Sequence, residues 1–345
     1  MTEVLVVGQG IAGVAVAHHL RKRNCHVTTI DDSLPSSASR VAAGMINPVT
    51  GRSYVKSWMV DELIAKAKTF YTEIESLLNL DGIIKSTSVI RTLPDQAAEN
   101  KWYHRLDDSA YQEYLEPPSD LKQYAEVIHP VFSAGTIHEA YQINLGKTVD
   151  AYKLKYADDN ISTILKYDEI KVGPNSIEYM GRSYDLVVFA EGYRCVDNPF
   201  FNHLPFQPAK GEVLLIRIPG FKTDLVLRHK LFLIPLEDDI FWVGAGYNWN
   251  INQIEPSEEE GNRLRSVLDE ILKVPYEVID HIAGVRPATK GRRPFLGRHP
   301  DHPRLAIFNG MGTKGASLSP YWADHFVQHL LDGIELHPEV DIARF

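Results

Sequence analysis

The residues with the most chemistry in their spacing open the chain: Gly8-Gln9-Gly10-Ile11-Ala12-Gly13, with Asp31 eighteen residues after Gly13. This spacing suits a dinucleotide. Gly8 allows a tight turn, Gly10 lets backbone approach a pyrophosphate, and Gly13 lets a helix pack on a strand. Ile11 and Ala12 begin that helix, whose free N–H groups and partial positive charge favour phosphate. Asp31, followed by Asp32, can accept from a ribose 2′-OH and would repel a 2′-phosphate, so FAD or NAD is favoured over NADP. A second glycine loop lies near the other end, Asn309-Gly310-Met311-Gly312-Thr313-Lys314-Gly315, and it too feeds a helix N-terminus. Just upstream, Gly284 to Arg298 carries five bases and no acid. Arg292, Arg293 and Arg298 read as a solvated basic face. Arg286, between Val285 and Pro287, reads as partly buried, and a buried arginine wants a bidentate anionic partner.

The elements that must position these residues follow from pattern. Glu3 to Val7 is a β-branched run fit for a buried parallel strand, Ile11 to Leu20 a helix ending in Arg21-Lys22-Arg23, and His26 to Ile30 a second strand. An NAD dehydrogenase would continue into a second βαβ unit. Here a small-residue stretch from Ser36 to Pro48 follows instead, which composition alone reads as an ordinary loop, although it would let backbone lie against a large flat ligand. Trp58 to Leu78 is predicted as a long amphipathic helix. Gly211–Ile218, Leu225–Pro235 and Asp239–Tyr247 are predicted as successive strands of a meander. Leu305 to Phe308 is another buried strand. The helix after it buries Leu318, Trp322, Phe326, Leu330 and Ile334, with Pro320 early enough to be tolerated.

Composition bounds the function. The chain has 345 residues, enough for about two domains. Thirty-six bases against forty-five acids give −9, which argues against nucleic acid as a main ligand while leaving room for a local basic cleft. Cys25 and Cys195 form no CxxC, so a disulfide framework or cysteine zinc site is not expected, and no metal is. No apolar run reaches membrane length and the N-terminus is no secretory signal, so a cytoplasmic protein is expected. Gly146-Lys147-Thr148 lacks the upstream glycine of a P-loop, and no HExxH or GxSxG occurs. His18-His19 cannot chelate as helix neighbours and read as surface residues.

Taken together, Gly8 to Gly13 with Asp31, Ala42-Ala43-Gly44-Met45, Tyr184 to Gly192, Gly284-Val285-Arg286-Pro287 and Gly310 to Gly315 resemble the D-amino-acid oxidase-like flavoprotein family, which includes glycine and sarcosine oxidases. Within it the chain looks closest to the FAD domain of the bifunctional tRNA 5-methylaminomethyl-2-thiouridine biosynthesis protein, on Gly244-Ala245-Gly246-Tyr247, Met311 to Gly315 and Ser257-Glu258-Glu259-Glu260, with no room for that protein's methyltransferase half.

The resemblance implies an α/β fold: a Rossmann-like FAD-binding domain (residues 1–81, 143–195 and 284–345) interleaved with a mixed, largely antiparallel substrate domain (82–142 and 196–283). It implies non-covalent FAD held by Gly8, Gly10, Ile11, Ala12, Gly13, Asp31, Asp32, Arg40, Ala43, Gly44, Met45, Ala190, Glu191, Gly192, Arg286, Gly310, Gly312, Thr313, Lys314 and Gly315. The implied reaction is oxidation of the C–N bond of a small carboxylate-bearing amine, such as glycine, sarcosine or a D-amino acid, by hydride transfer to flavin N5. Arg286 would fork the carboxylate, Tyr247 would assist, and Lys314 would support negative charge on the reduced flavin. The electron acceptor, oxygen or another, is left open. Two departures stand out. Phe232 replaces the tyrosine that glycine oxidase-like members carry before Leu-x-Pro, and the segment from Asn144 to Tyr184 is short. An enzyme acting on a modified tRNA wobble uridine, or a non-catalytic flavin-binding protein, are the alternatives.

Overall fold

The structure is a computed structural model that describes residues 1–251 and 253–345. Glu3–Val7 sits inside a six-stranded sheet ordered Phe295–Arg298, Leu305–Asn309, Leu186–Phe189, Glu3–Val7, His26–Ile30, Asn160–Ile161. Its neighbours pair in parallel, except for the antiparallel edge strand Phe295–Arg298. Parallel neighbours need a crossover, and helix Ile11–Lys22 supplies the first. Covered on both faces, such strands are apolar throughout: Val4, Leu5, Val6, Val187 and Val188 are all fully buried.

Helix Ile11–Lys22 packs between helices Val60–Leu78 and Gly315–Asp332 and is buried around most of its circumference. This overturns the surface reading of His18 and His19, which are only 6% exposed each. His19 stacks on Phe70 and faces Asp324 at 3.5 Å, and His18 meets Phe70 edge-on and faces Glu73 at 3.4 Å. Burial pushes both imidazoles below their usual range, His19 to about 4. Neighbouring residues cannot chelate together, but they can face two different covering helices.

Helix Gly315–Asp332 contains Pro320 in its interior rather than in its first turn. Proline has no N–H, so the carbonyl of Ala316, four residues back, loses its helical donor. The hydroxyl of Tyr71 replaces it, donating to Ala316 O at 2.9 Å. Tyr71→Phe leaves that buried carbonyl unpaired and is expected to cost about 1–3 kcal/mol. Urea unfolding of the two proteins measures it.

The second sheet has eight strands, ordered Glu277–Arg286, Ala209–Arg217, Ile240–Gly244, Phe232–Pro235, Val226–Arg228, Ile84–Leu93, Ser133–Ile143, Met45–Ile46. All pairs are antiparallel except Val226–Arg228 with Ile84–Leu93. The strand expected over 225–235 is two strands, because the chain reverses at His229-Lys230, and the one expected to reach Tyr247 stops at Gly244. One face of this sheet is covered by helix Glu258–Ile271, whose Leu264 and Leu268 pack with Leu214, Ile216 and Phe241. Ser257 caps that helix by accepting from Glu260 N at 3.3 Å. In the short middle segment, Asn144 caps helix Leu145–Lys155, and a three-stranded sheet follows. Cys25 and Cys195 are buried free thiols. No helix among the described residues is long and apolar enough to cross a membrane.

Candidate functional site

A cavity with about 460 Å³ of room runs from the C-terminal ends of Glu3–Val7 and His26–Ile30 to the inner face of the eight-stranded sheet. Ligands of parallel α/β sheets lie at those strand ends. Of the residues predicted for cofactor or substrate, all line this cavity except Gly13 and Gly310. A Cβ on Gly13 would stand 1.8 Å from the carbonyl oxygen of Gly8, so Gly13 sets the seat of the helix on the turn. A Cβ on Gly310 would meet Thr289 at 2.6 Å, which makes it a packing position behind the loop.

The dinucleotide end is preorganised. Gly8 takes φ +95°, and its N–H bonds Ile30 O at 2.8 Å. Asp31 accepts from Gln9 N at 2.8 Å and Ser33 N at 2.7 Å, which fixes its carboxylate at the strand end. Asp32 pairs with Arg194 at 2.7 Å, and Arg40 pairs with Asp150. A tight glycine turn, an acid at the second strand end and a helix N-terminus over one elongated cavity fit an FAD. Ser39, which the sequence reading passed over, accepts from Ile11 N at 2.9 Å and ties the small-residue stretch to that helix start. The stretch is thus a cavity wall, with Arg40, Ala43, Gly44 and Met45 along it, rather than a free loop.

Glu191 lines the cavity after strand Leu186–Phe189 and accepts from Tyr167 Oη at 2.6 Å and Asn198 Nδ2 at 2.7 Å. Burial nevertheless pushes its carboxyl up to about 7, against those donors. The folded chain therefore holds this proton more tightly than the unfolded one. The resulting stability is complete below about pH 4.5 and lost as pH rises through 7. Glu191→Gln is expected to lack that decline, which urea midpoints for both proteins at pH 5 and 8 will show.

At the other end, Arg286 lies at the close of strand Glu277–Arg286, its guanidinium over the backbone of Gly211 and 5.1 Å from the ring centre of Tyr247. Nη1 donates to Gly246 O at 3.1 Å and Lys210 O at 3.4 Å. No carboxylate pairs with it among the described residues, and burial lowers its pKa. Five N–H donors with so few partners leave several for a ligand. Tyr247 is 51% exposed, at the cavity rim against Trp249. Lys314 precedes the last helix, and burial beside Arg293 and Arg292 lowers its pKa.

The basic run divides differently from expectation. Arg292 is exposed as read. Arg293 is half-buried over the Trp58 ring and pairs with Glu339 at 2.6 Å, and Arg298 is half-buried, donating to Leu330 O at 2.8 Å. Neither forms a free basic face. Arg228, missed in the sequence, also lines the cavity. Its one available signal was its place directly after the apolar run Leu225-Val226-Leu227.

A Rossmann-type parallel sheet with this turn, joined to a mixed sheet that roofs the same cavity, defines an FAD-dependent oxidoreductase. The chain belongs to the family described as FAD dependent oxidoreductase (DAO), whose profile matches residues 3–329. It is 21% identical to an uncharacterized oxidoreductase, YurR, of Bacillus subtilis over 93% of this chain and 92% of that one. It is also 21% identical to the tRNA 5-methylaminomethyl-2-thiouridine biosynthesis bifunctional protein MnmC of Caulobacter, over 94% of this chain but only 54% of the relative. The glycine oxidase of Geobacillus kaustophilus superposes with a TM-score of 0.80, at 20% identity, over 100% of this chain and 98% of its own.

Proposed function

We propose that this enzyme oxidises a small amine that carries a carboxylate next to the reacting carbon, and that its two sheets divide the work. The six-stranded sheet and its glycine turns hold FAD, and the eight-stranded sheet roofs the substrate. The observation that carries this reading is Arg286, a half-buried guanidinium with unused donors and no acidic partner among the described residues, inside the cavity that fits the cofactor. A fork of parallel N–H groups matches a carboxylate bidentately. FAD, held by these glycine turns, would supply the hydride acceptor for oxidation of the substrate's C–N bond. The chain's own part is orientation and electrostatics. Arg286 anchors the carboxylate, Tyr247 buttresses the guanidinium face at the rim, and Trp242, whose Nε1 donates to Val41 O at 2.9 Å, pins the cavity wall to the roof. Lys314 places positive charge at the start of the last helix, where both favour negative charge in the cavity. Phe232 supplies no phenol, so carboxylate binding falls mainly to Arg286.

The test is spectroscopic. The purified protein should carry a flavin spectrum that bleaches when glycine, sarcosine or a D-amino acid is added without oxygen. A yellow protein that no carboxylate-bearing amine bleaches would overturn the proposal.

A further inference from the structure

The inner face of the eight-stranded sheet carries more positive charge than one carboxylate needs. Residues in register across neighbouring strands share a face, and here Val213, Gly244, Phe232, Arg228 and Arg91 form one row. Ala209 lies on the same face, two alternations from Val213, and is registered with Arg286. Arg286, Arg228 and Arg91 therefore all rise from the cavity side of the sheet. Four strand spacings across the sheet and a four-residue offset along it, from Ala209 to Val213, separate Arg228 from Arg286 by roughly 23 Å between backbones, and the side chains narrow that gap, Arg286 lying over Gly211 and Arg228 beside the Phe232 ring. Two guanidiniums so placed serve opposite ends of a ligand rather than one carboxylate.

Arg228 is half-buried, lines the same cavity as Arg286, and lies 4.8 Å from the centre of the Phe232 ring. Its Nη1 donates to the neighbouring carbonyl of His229 at 3.0 Å. Arg91 is registered directly beside it and lies 5.6 Å from the Tyr54 ring centre. Among the described residues neither makes an ion pair with a carboxylate. Burial and the neighbouring Arg91 together lower the pKa of Arg228 to about 10, the mark of a cation held without its counter-ion. Two adjacent guanidiniums taken out of water with no anion between them are costly in the free protein, and a ligand anion relieves that cost.

We propose that Arg228, backed by Arg91, is a second anion site, and that the substrate is an amino acid with two acidic groups: the carboxylate at the reacting carbon on Arg286 and a distal carboxylate on Arg228. The identity of the first end rests on the proposed amine oxidation, whereas the second site stands on its own geometry.

The experiment uses the FAD-containing protein and two readouts. The first titrates glutarate against butyrate, which is glutarate without its distal carboxylate, and follows the flavin absorbance. Glutarate is expected to bind at least tenfold more tightly, and Arg228→Gln to remove most of that difference, with Arg228→Lys retaining part of it. The second compares kcat/KM for D-glutamate and D-glutamine. Wild type should prefer the acid at least tenfold. Arg228→Gln should bring the ratio near one, and Arg286→Gln should depress both substrates. Should Arg228→Gln not fold, Arg91→Gln and the wild-type ratios carry the test.

Equal affinity for glutarate and butyrate in wild type overturns the second site even if glycine bleaches the flavin. Tight glutarate binding with no bleaching by any amine supports the site and sinks the oxidase reading instead. If the two acids bind alike and a short single-stranded RNA perturbs the flavin, the arginines face a polynucleotide and the proposal fails.

Discussion

Arg286→Ala is expected to lower kcat/KM for carboxylate-bearing amines at least tenfold while FAD stays bound. A charge-assisted hydrogen bond lost from a partly buried site costs about 1.5–3 kcal/mol, and about 1.4 kcal/mol is already a factor of ten. Arg286 donates to Gly246 O and Lys210 O, and Lys210 O keeps the N–H of Asn248 at 2.9 Å, so removing the side chain leaves the strand pairing in place. Loss should therefore appear more in turnover than in melting temperature. Gly211→Ala provides an independent check, because its Cβ would stand 2.2 Å from Arg286 Nη2 and must push the guanidinium aside without changing any charge. Both variants should weaken carboxylate substrates in stopped-flow reduction of the flavin. Normal reduction kinetics in Arg286→Ala would remove the carboxylate fork from the proposed function.

How far the site could be read in the sequence depended on whether its physics is local. The glycine turn, the helix start and Asp31 fall within one βαβ unit, so spacing alone carries their meaning, and the structure sets them around one cavity. Arg286 was legible for a similar reason, since apolar neighbours on a strand mark a charge as partly buried. The second arginine was not. Arg228 acquires its place only from a register that runs across Phe232 and Gly244 to Val213, and from a parallel pairing with Ile84–Leu93 that no local pattern encodes. His18 and His19 failed in the other direction. Two polar neighbours on a helix read as surface residues, yet two long helices enclose them and supply Asp324 and Glu73 as partners. Pro320 shows the same dependence on distance: the proline is plain in the sequence, but the hydroxyl that completes its helix comes from Tyr71.

Gly13→Val is expected to give a colourless, less stable protein. The Cβ of any larger residue at position 13 would overlap the Gly8 carbonyl oxygen at 1.8 Å and its carbon at 2.9 Å, and both are backbone atoms that no rotamer change can move. Either the helix start shifts away from the turn or the turn opens. Each outcome separates the helix N-terminus from Gly8 and Gly10, which together would cradle the phosphates in the proposed FAD site. Overpacking of this kind costs about 1–3 kcal/mol or more, and here the strain falls on the cofactor's own seat, so FAD retention after purification should drop more sharply than thermal stability. Gly146→Ala is the control. That glycine lies in helix Leu145–Lys155, a Cβ there would meet nothing nearer than Asn144 Oδ1 at 3.9 Å, and it does not line the cavity. It should keep its flavin and gain up to about 1 kcal/mol from the better helix former. If Gly13→Val retained stoichiometric FAD, the close seating of helix on turn would have no part in holding the cofactor.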